Sequence, residues 1–181
     1  FIVQPAYVQG LVEYMGYTNE QAGLITSAEM FGVAFTAIGI NFILNRFNWR
    51  VLLTVFLILS GVGNFVSLLA SDANTLMAIR FITGLGAGGI MVFSFTMMGI
   101  TERSDRNMGY MLVAILVYGA LGLLMMPTAF ALVGVQGVLV FFGLFCFSGL
   151  IFVRNLPCSH QVHENMLDNV KIYSMSIKVI T

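Results

Sequence analysis

Arg80 and Glu29 are the two residues whose chemistry most needs explaining, because each is an ionisable side chain inside an apolar run. Arg80 lies near one end of the run from Leu76 to Ile100, and Glu29 lies in the run from Glu20 to Leu44. A charge at the centre of a membrane helix costs roughly 2.5–3.5 kcal/mol on insertion scales, so it normally faces protein or a watery cavity and has a partner. An arginine in such a place can hold an anion, and a carboxylate beside it can take up and release a proton. The same two groups can equally form a static ion pair that locks helix packing. The residues alone leave both readings open.

The spans that must position them have a usable angular pattern. At about 100° per residue, Leu24, Phe31, Phe35, Ile38 and Phe42 gather on one side of the first of these runs, a bulky stripe suited to lipid. Ala22, Thr26, Glu29, Gly32 and Thr36 gather on the opposite side, which aims Glu29 at protein. Arg80 shares its face with Met77, Thr83, Gly84, Ala87 and Ser94, again the small and polar side. Counted from span starts near Glu20 and Asp72, the two depths agree within a turn at ~1.5 Å rise per residue. One turn beyond Arg80 come Gly84, Gly86, Gly88 and Gly89. Gly84 and Gly88 form a GxxxG step, which lets a neighbouring helix approach to backbone contact.

Composition fixes the class. Of 181 residues, 59% are hydrophobic and 9% charged, against about 25% charged in a soluble domain. Mean hydropathy is +0.93, so the chain is read as an all-α integral membrane protein whose first partner is the lipid bilayer. Net charge is zero and no basic cluster exists, which gives no support to a nucleic-acid partner. The chain opens on Phe1, already inside an apolar run, and is expected to be a fragment whose start is missing.

Taken in order, Phe1 to about Met15 reads as the remainder of a first span, kinked at Pro5, with Gln4, Gln9 and Glu13 marking an inward face. Further spans are expected over Glu20–Leu44, Val51–Leu69, Leu76–Ile100 and Met108–Leu132, with Thr18 or Asn19 capping the second and Asp72 the fourth. A break at Gly134-Val135-Gln136-Gly137 leads into a sixth span ending near Arg154. Residues 1–155 would thus be a bundle of about six transmembrane helices, arranged as two weak repeats of three. Residues 156–181 would be a cytoplasmic linker or tail, leading to a missing second half. Arg46, Arg50, Arg103, Arg106 and Arg154 fall in alternate turns, and the turns near Tyr17, Asp72 and Val135 have no Lys or Arg. By the positive-inside rule those basic turns, Lys171 and the N-terminus are expected in the cytoplasm, with the Arg80 end of its span near the outer face. The expected location is a plasma or inner membrane, crossed several times.

The pattern Arg80-x-x-x-Gly84-x-Gly86-Ala87-Gly88-Gly89 resembles the motif in the fourth helix of the major facilitator superfamily. That family also carries a Gly-x-x-x-Asp-Arg-x-Gly-Arg-type turn between its second and third helices. The corresponding stretch here, Asn41 to Arg50, keeps Arg46 and Arg50 but has Asn45 in place of the acid and Asn41 and Asn48 in place of glycines. The fifth span has Gly119, Gly122 and Pro127 without the Gly-Pro pairing of the drug/proton antiporters, so antiport is not favoured. The resemblance covers about residues 1–155 and implies the N-terminal six-helix half of a twelve-helix transporter. It implies that the first and fourth helices line a central cavity, making Gln4, Tyr7, Gln9 and Arg80 candidate pathway residues beside Glu29. Helix–helix hydrogen bonding is an equal reading of Gln4 and Gln9.

No enzyme chemistry or cofactor is expected. No nucleophile, base and orienting group occur together. Gly84-x-Gly86-x-x-Gly89 reads GxGxxG but follows no strand. Cys158-x-His160-x-x-His163 is not a standard zinc set, so no metal is expected. The functional expectation is a secondary active transporter moving a small organic solute by alternating access, coupled to protons through Glu29, with this chain supplying one half. The alternative is a non-transporting membrane scaffold or sensor built of six helices.

Overall fold

Five α-helices and the turns between them make up the computed structural model, which describes residues 3–43 and 47–153. Helix α1 (Gln4–Met15) carries Pro5 in its first turn, where a missing N–H leaves no bond unmade, and stops at Gly16 in the left-handed conformation (φ 73°). Helix α2 (Asn19–Ile43) starts from a reciprocal cap: the Gln21 amide donates to Thr18 Oγ1 at 3.2 Å, and the Thr18 amide donates to Gln21 Oε1 at 3.1 Å. Helix α3 (Trp49–Val66) starts at Asn48, whose side chain accepts from the Arg50 amide, and tightens into a 3₁₀ turn at Ser67–Leu69. Asp72 caps helix α4 (Ala73–Gly99) by accepting from the Thr75 amide at 3.1 Å. Helix α5 (Ser104–Val153) consists of two helical arms that meet at a kink at Gly134 (φ 67°, ψ 176°).

The all-α membrane bundle stands, but the span count differs from about six. Among the described residues, four helices, α2 to α5, are long and apolar enough to cross a bilayer. Helix α1 has 12 residues, about 18 Å at 1.5 Å per residue, short of the ~30 Å hydrocarbon layer. The expected break between the fifth and sixth spans falls at Gly134, where a kink divides α5 into two helical arms and the second arm starts directly, without a loop to Gly137. Glycine alone adopts that φ/ψ region without strain.

Helix α4 is the centre of the bundle, packing on α2 most extensively and then on α3, while α1 sits against α5 and α2. Two apolar cores lie at opposite ends. One joins Tyr7 and Leu11 of α1 to Ile25, Leu76, Phe130 and Leu139. The other gathers Ile40, Leu52 and Phe93 around Trp49, whose ring meets Phe93 edge-on at 5.3 Å. Leu24, Phe31, Phe35, Ile38 and Phe42 are all exposed, the outward stripe expected of α2.

Candidate functional site

Backbone contact between α2 and α4 is what places the site. A methyl group added at Gly84 would collide with the carbonyl oxygen of Glu29, and one at Gly88 would lie 2.7 Å from the Val33 carbonyl oxygen. From the other side, a methyl at Gly32 would strike the Phe81 carbonyl. Gly86 does the same work toward α3, where a methyl would lie 2.7 Å from the Ser60 nitrogen, and a methyl at Gly89 would strike the Phe56 ring. Apolar side chains gain little by meeting each other within lipid, so close approach through small residues is what joins such helices. Because Gly84 rests on Glu29 itself, the Glu29 side chain stands one turn from Gly84, at Arg80.

Arg80 Nη1 lies 3.7 Å from Glu29 Oε2, with the two side chains 4% and 15% exposed. The same nitrogen donates to Asn64 Oδ1 at 3.4 Å. Asn64 is oriented by its own Nδ2, which donates to the Ser60 carbonyl at 2.9 Å. The Tyr7 ring covers the guanidinium, 4.8 Å from ring centre to Cζ, a desolvated cation–π contact worth about 2 kcal/mol. Among the described residues, Arg80 Nε and Nη2, the Tyr7 hydroxyl and Gln4 Oε1 are buried without a hydrogen-bonding partner. Each such group costs about 1–3 kcal/mol.

The residues that carry these atoms line a cavity of ≈ 210 Å³. Gln4 and Tyr7 come from α1, Glu29 from α2, Ser60 and Asn64 from α3, Arg80 and Thr83 from α4, and Tyr118, Met126, Leu139, Phe142, Phe145 and Cys146 from α5. Cys146 donates to Ser60 Oγ at 3.6 Å, tying α5 to α3 across the cavity. Tyr118 and Phe145 are 52% and 63% exposed and form its rim.

Of the residues singled out in the sequence, the structure brings Glu29, Arg80, Gln4 and Tyr7 together. Gln9 is elsewhere: it is exposed, and its amide donates to Glu13 Oε1 at 2.8 Å, one turn along α1. Arg50 occupies the first turn of α3. Arg46, Asn45 and residues 154–181, including Arg154, Cys158, His160, His163 and Lys171, lie outside the described residues. Asn64, Ser60, Tyr118 and Cys146 were not anticipated as cavity residues. Asn64 had a legible signal, as an amide in an otherwise apolar span.

A multi-pass bundle of apolar helices with a buried guanidinium in a mid-bundle cavity defines an integral membrane protein. The chain matches the Major Facilitator Superfamily over residues 1–168 and belongs to it. It is therefore not an enzyme. It is 27% identical over 109 residues to the 4-hydroxybenzoate transporter PcaK of Pseudomonas aeruginosa. That match spans 60% of this chain and 24% of the relative's length. No solved structure matches the chain.

Proposed function

We propose that this chain supplies the N-terminal bundle of a secondary transporter that moves a small organic solute by alternating access, with Glu29 as its proton-carrying group. The observation that carries the reading is the cavity around Arg80, where five helices converge on a cation held by one long ion pair. A structural lock would surround such a cation with short bonds on all its N–H groups, and two of its nitrogens have none among the described residues. Family membership supports transport as the activity, and the relative's cargo is a solute of the size the cavity admits. A second, six-helix half would close the path against the exposed apolar face of α5. The distribution of arginines supports a cytoplasmic N-terminus in a plasma or inner membrane.

The test is reconstitution of the full-length protein in liposomes with a panel of labelled small organic solutes. Saturable uptake of at least one, faster with an inward acid gradient, is expected. Glu29→Gln is expected to lose the acceleration by acid and to retain exchange. No uptake above protein-free liposomes for any solute would favour the scaffold reading. Equal acid stimulation in Glu29→Gln would remove the proton role.

A further inference from the structure

Asn64 is the buried side chain through which α3 reaches Arg80. Its Nδ2 donates to the Ser60 carbonyl at 2.9 Å, which fixes Oδ1 as the atom turned toward the arginine. Ser67, a turn further along α3, instead donates back to the Gly63 carbonyl of its own chain segment. At this level α3 is pressed against α4: a methyl on Gly63 would strike Thr83, and one on Gly86 would lie 2.7 Å from the Ser60 nitrogen. Arg80 Nη1 thus lies between two acceptors, Asn64 Oδ1 at 3.4 Å and Glu29 Oε2 at 3.7 Å. The anion is the more distant of the two. Charge-assisted N–H···O contacts ordinarily close to about 2.7–2.9 Å. Helices α2 and α4 already touch at Glu29 and Gly84, so backbone separation is not what keeps this pair long.

We infer that Asn64 is a positioning residue for the Arg80–Glu29 pair: it shares Nη1 with the carboxylate, holds the guanidinium toward α3, and keeps the ion pair loose enough for Glu29 to take up a proton. This rests on the transport reading, in which Glu29 carries the proton, and adds the residue that regulates it. Without the Asn64 acceptor, Arg80 closes on Glu29 and its charge opposes protonation more strongly, since Coulomb attraction grows as the distance falls. In Asn64→Asp, two anions divide one arginine, and a proton is accepted more readily. From α3 the cavity receives only the neutral Ser60 and Asn64. The other titratable side chains that line it are Tyr7 of α1 and Tyr118 and Cys146 of α5. Tyrosine and cysteine lose their protons only above about pH 8, so acid leaves their charge unchanged.

Two measurements on the full-length protein test this. The first is the acid dependence of uptake into liposomes. Asn64→Ala is expected to move half-maximal acid stimulation about one pH unit toward acid, the Coulomb gain of closing the pair from 3.7 Å to about 2.8 Å at an effective dielectric constant of about 20. Asn64→Asp, of the same size, is expected to move it the other way. A residue that only packs would lower uptake in both variants without opposite shifts. A stimulation curve that stays in place, or moves in one sense for both, would overturn the inference. The second measurement needs no transport: thermal unfolding in detergent at neutral pH of the natural protein, Asn64→Ala, Glu29→Gln and the double variant. Glu29→Gln is expected to lower the midpoint more in the Asn64→Ala background than alone, because the pair is tighter there. An equal or smaller loss would overturn the inference. Should Asn64→Ala not fold, Asn64→Asp takes its place, and Glu29→Gln is then expected to cost less than it does alone. Midpoints coupled as expected, with uptake indifferent to acid, would sink the proton role of Glu29 and leave the positioning by Asn64 standing. Acid-stimulated uptake that Glu29→Gln abolishes, with additive midpoints and unmoved curves, would do the reverse.

Discussion

Helices α4 and α5 both cross the bundle and both carry glycines, yet they build opposite walls of the same cavity. In α4, 44% of the most apolar window is buried, against 28% in α5. Gly84 and Gly88 lie flush on the α2 backbone and Gly86 on the α3 backbone, with the Phe56 ring of α3 seated on Gly89, so α4 is fixed from two sides. Helix α5 instead leaves Leu116, Leu124, Phe141 and Phe152 exposed, and its Gly134 serves a change of direction, with open space around it. The difference teaches where rigidity and access are divided. The charged wall is held by close packing, and the aromatic wall stays open.

The sharpest way to break this comparison is to thicken α4. Gly84→Leu would drive a side chain into the Glu29 carbonyl and is expected to cost roughly 3 kcal/mol or more, at or above the top of the usual overpacking range. Thermal unfolding in detergent should show a large loss of stability or no recoverable protein. Gly39 in α2 has open space where a side chain would go, so Gly39→Ala should be neutral or stabilising by up to about 1 kcal/mol. Equal effects of the two would mean that close approach does not hold the bundle.

A smaller effect is expected in α5. Gly134→Ala forces a side chain into a backbone region that only glycine enters readily and should cost about 1–3 kcal/mol. An unchanged unfolding midpoint would show that the break is not needed to aim the second arm of α5.

The smallest effect concerns the start of α4. The Thr75 hydroxyl, and then the Thr75 amide, bond the Asp72 carboxylate and hold it below its ordinary titration range. A lowered folded value means that this stabilisation is complete above the ordinary carboxylate range and is lost as pH falls through the lowered one. The gap in unfolding midpoint between the natural protein and Asp72→Ala should therefore be full at neutral pH and close in strong acid. A gap that widens in acid would contradict the capping role.

Much of this arrangement is legible in the sequence because membrane helices separate faces so strongly. The aromatic stripe from Leu24 to Phe42 and the opposite face with Glu29 follow from angular spacing alone, and both are where periodicity puts them. Arg80 announces itself by the penalty for a charge among apolar neighbours, and the glycines after it announce a thin helix. Other features depend on which side a single polar residue takes. Gln9 satisfies itself on Glu13 along its own helix, an exposed pairing that spacing by four residues also permits. Ser60 and Cys146 become cavity residues only because α3 and α5 cross there, a long-range fact that no local pattern encodes. The break in α5 is legible for a local reason: glycines mark where a helix can turn, and Gly134 is the residue that leaves helical geometry.

The central claim is that the Arg80 cavity is the path of the solute. Its most direct test is uptake by cells expressing the full-length protein with Arg80→Ala, measured beside the amount of protein in the membrane. The account predicts normal insertion with flux reduced at least tenfold. Flux equal to that of the natural protein would contradict it.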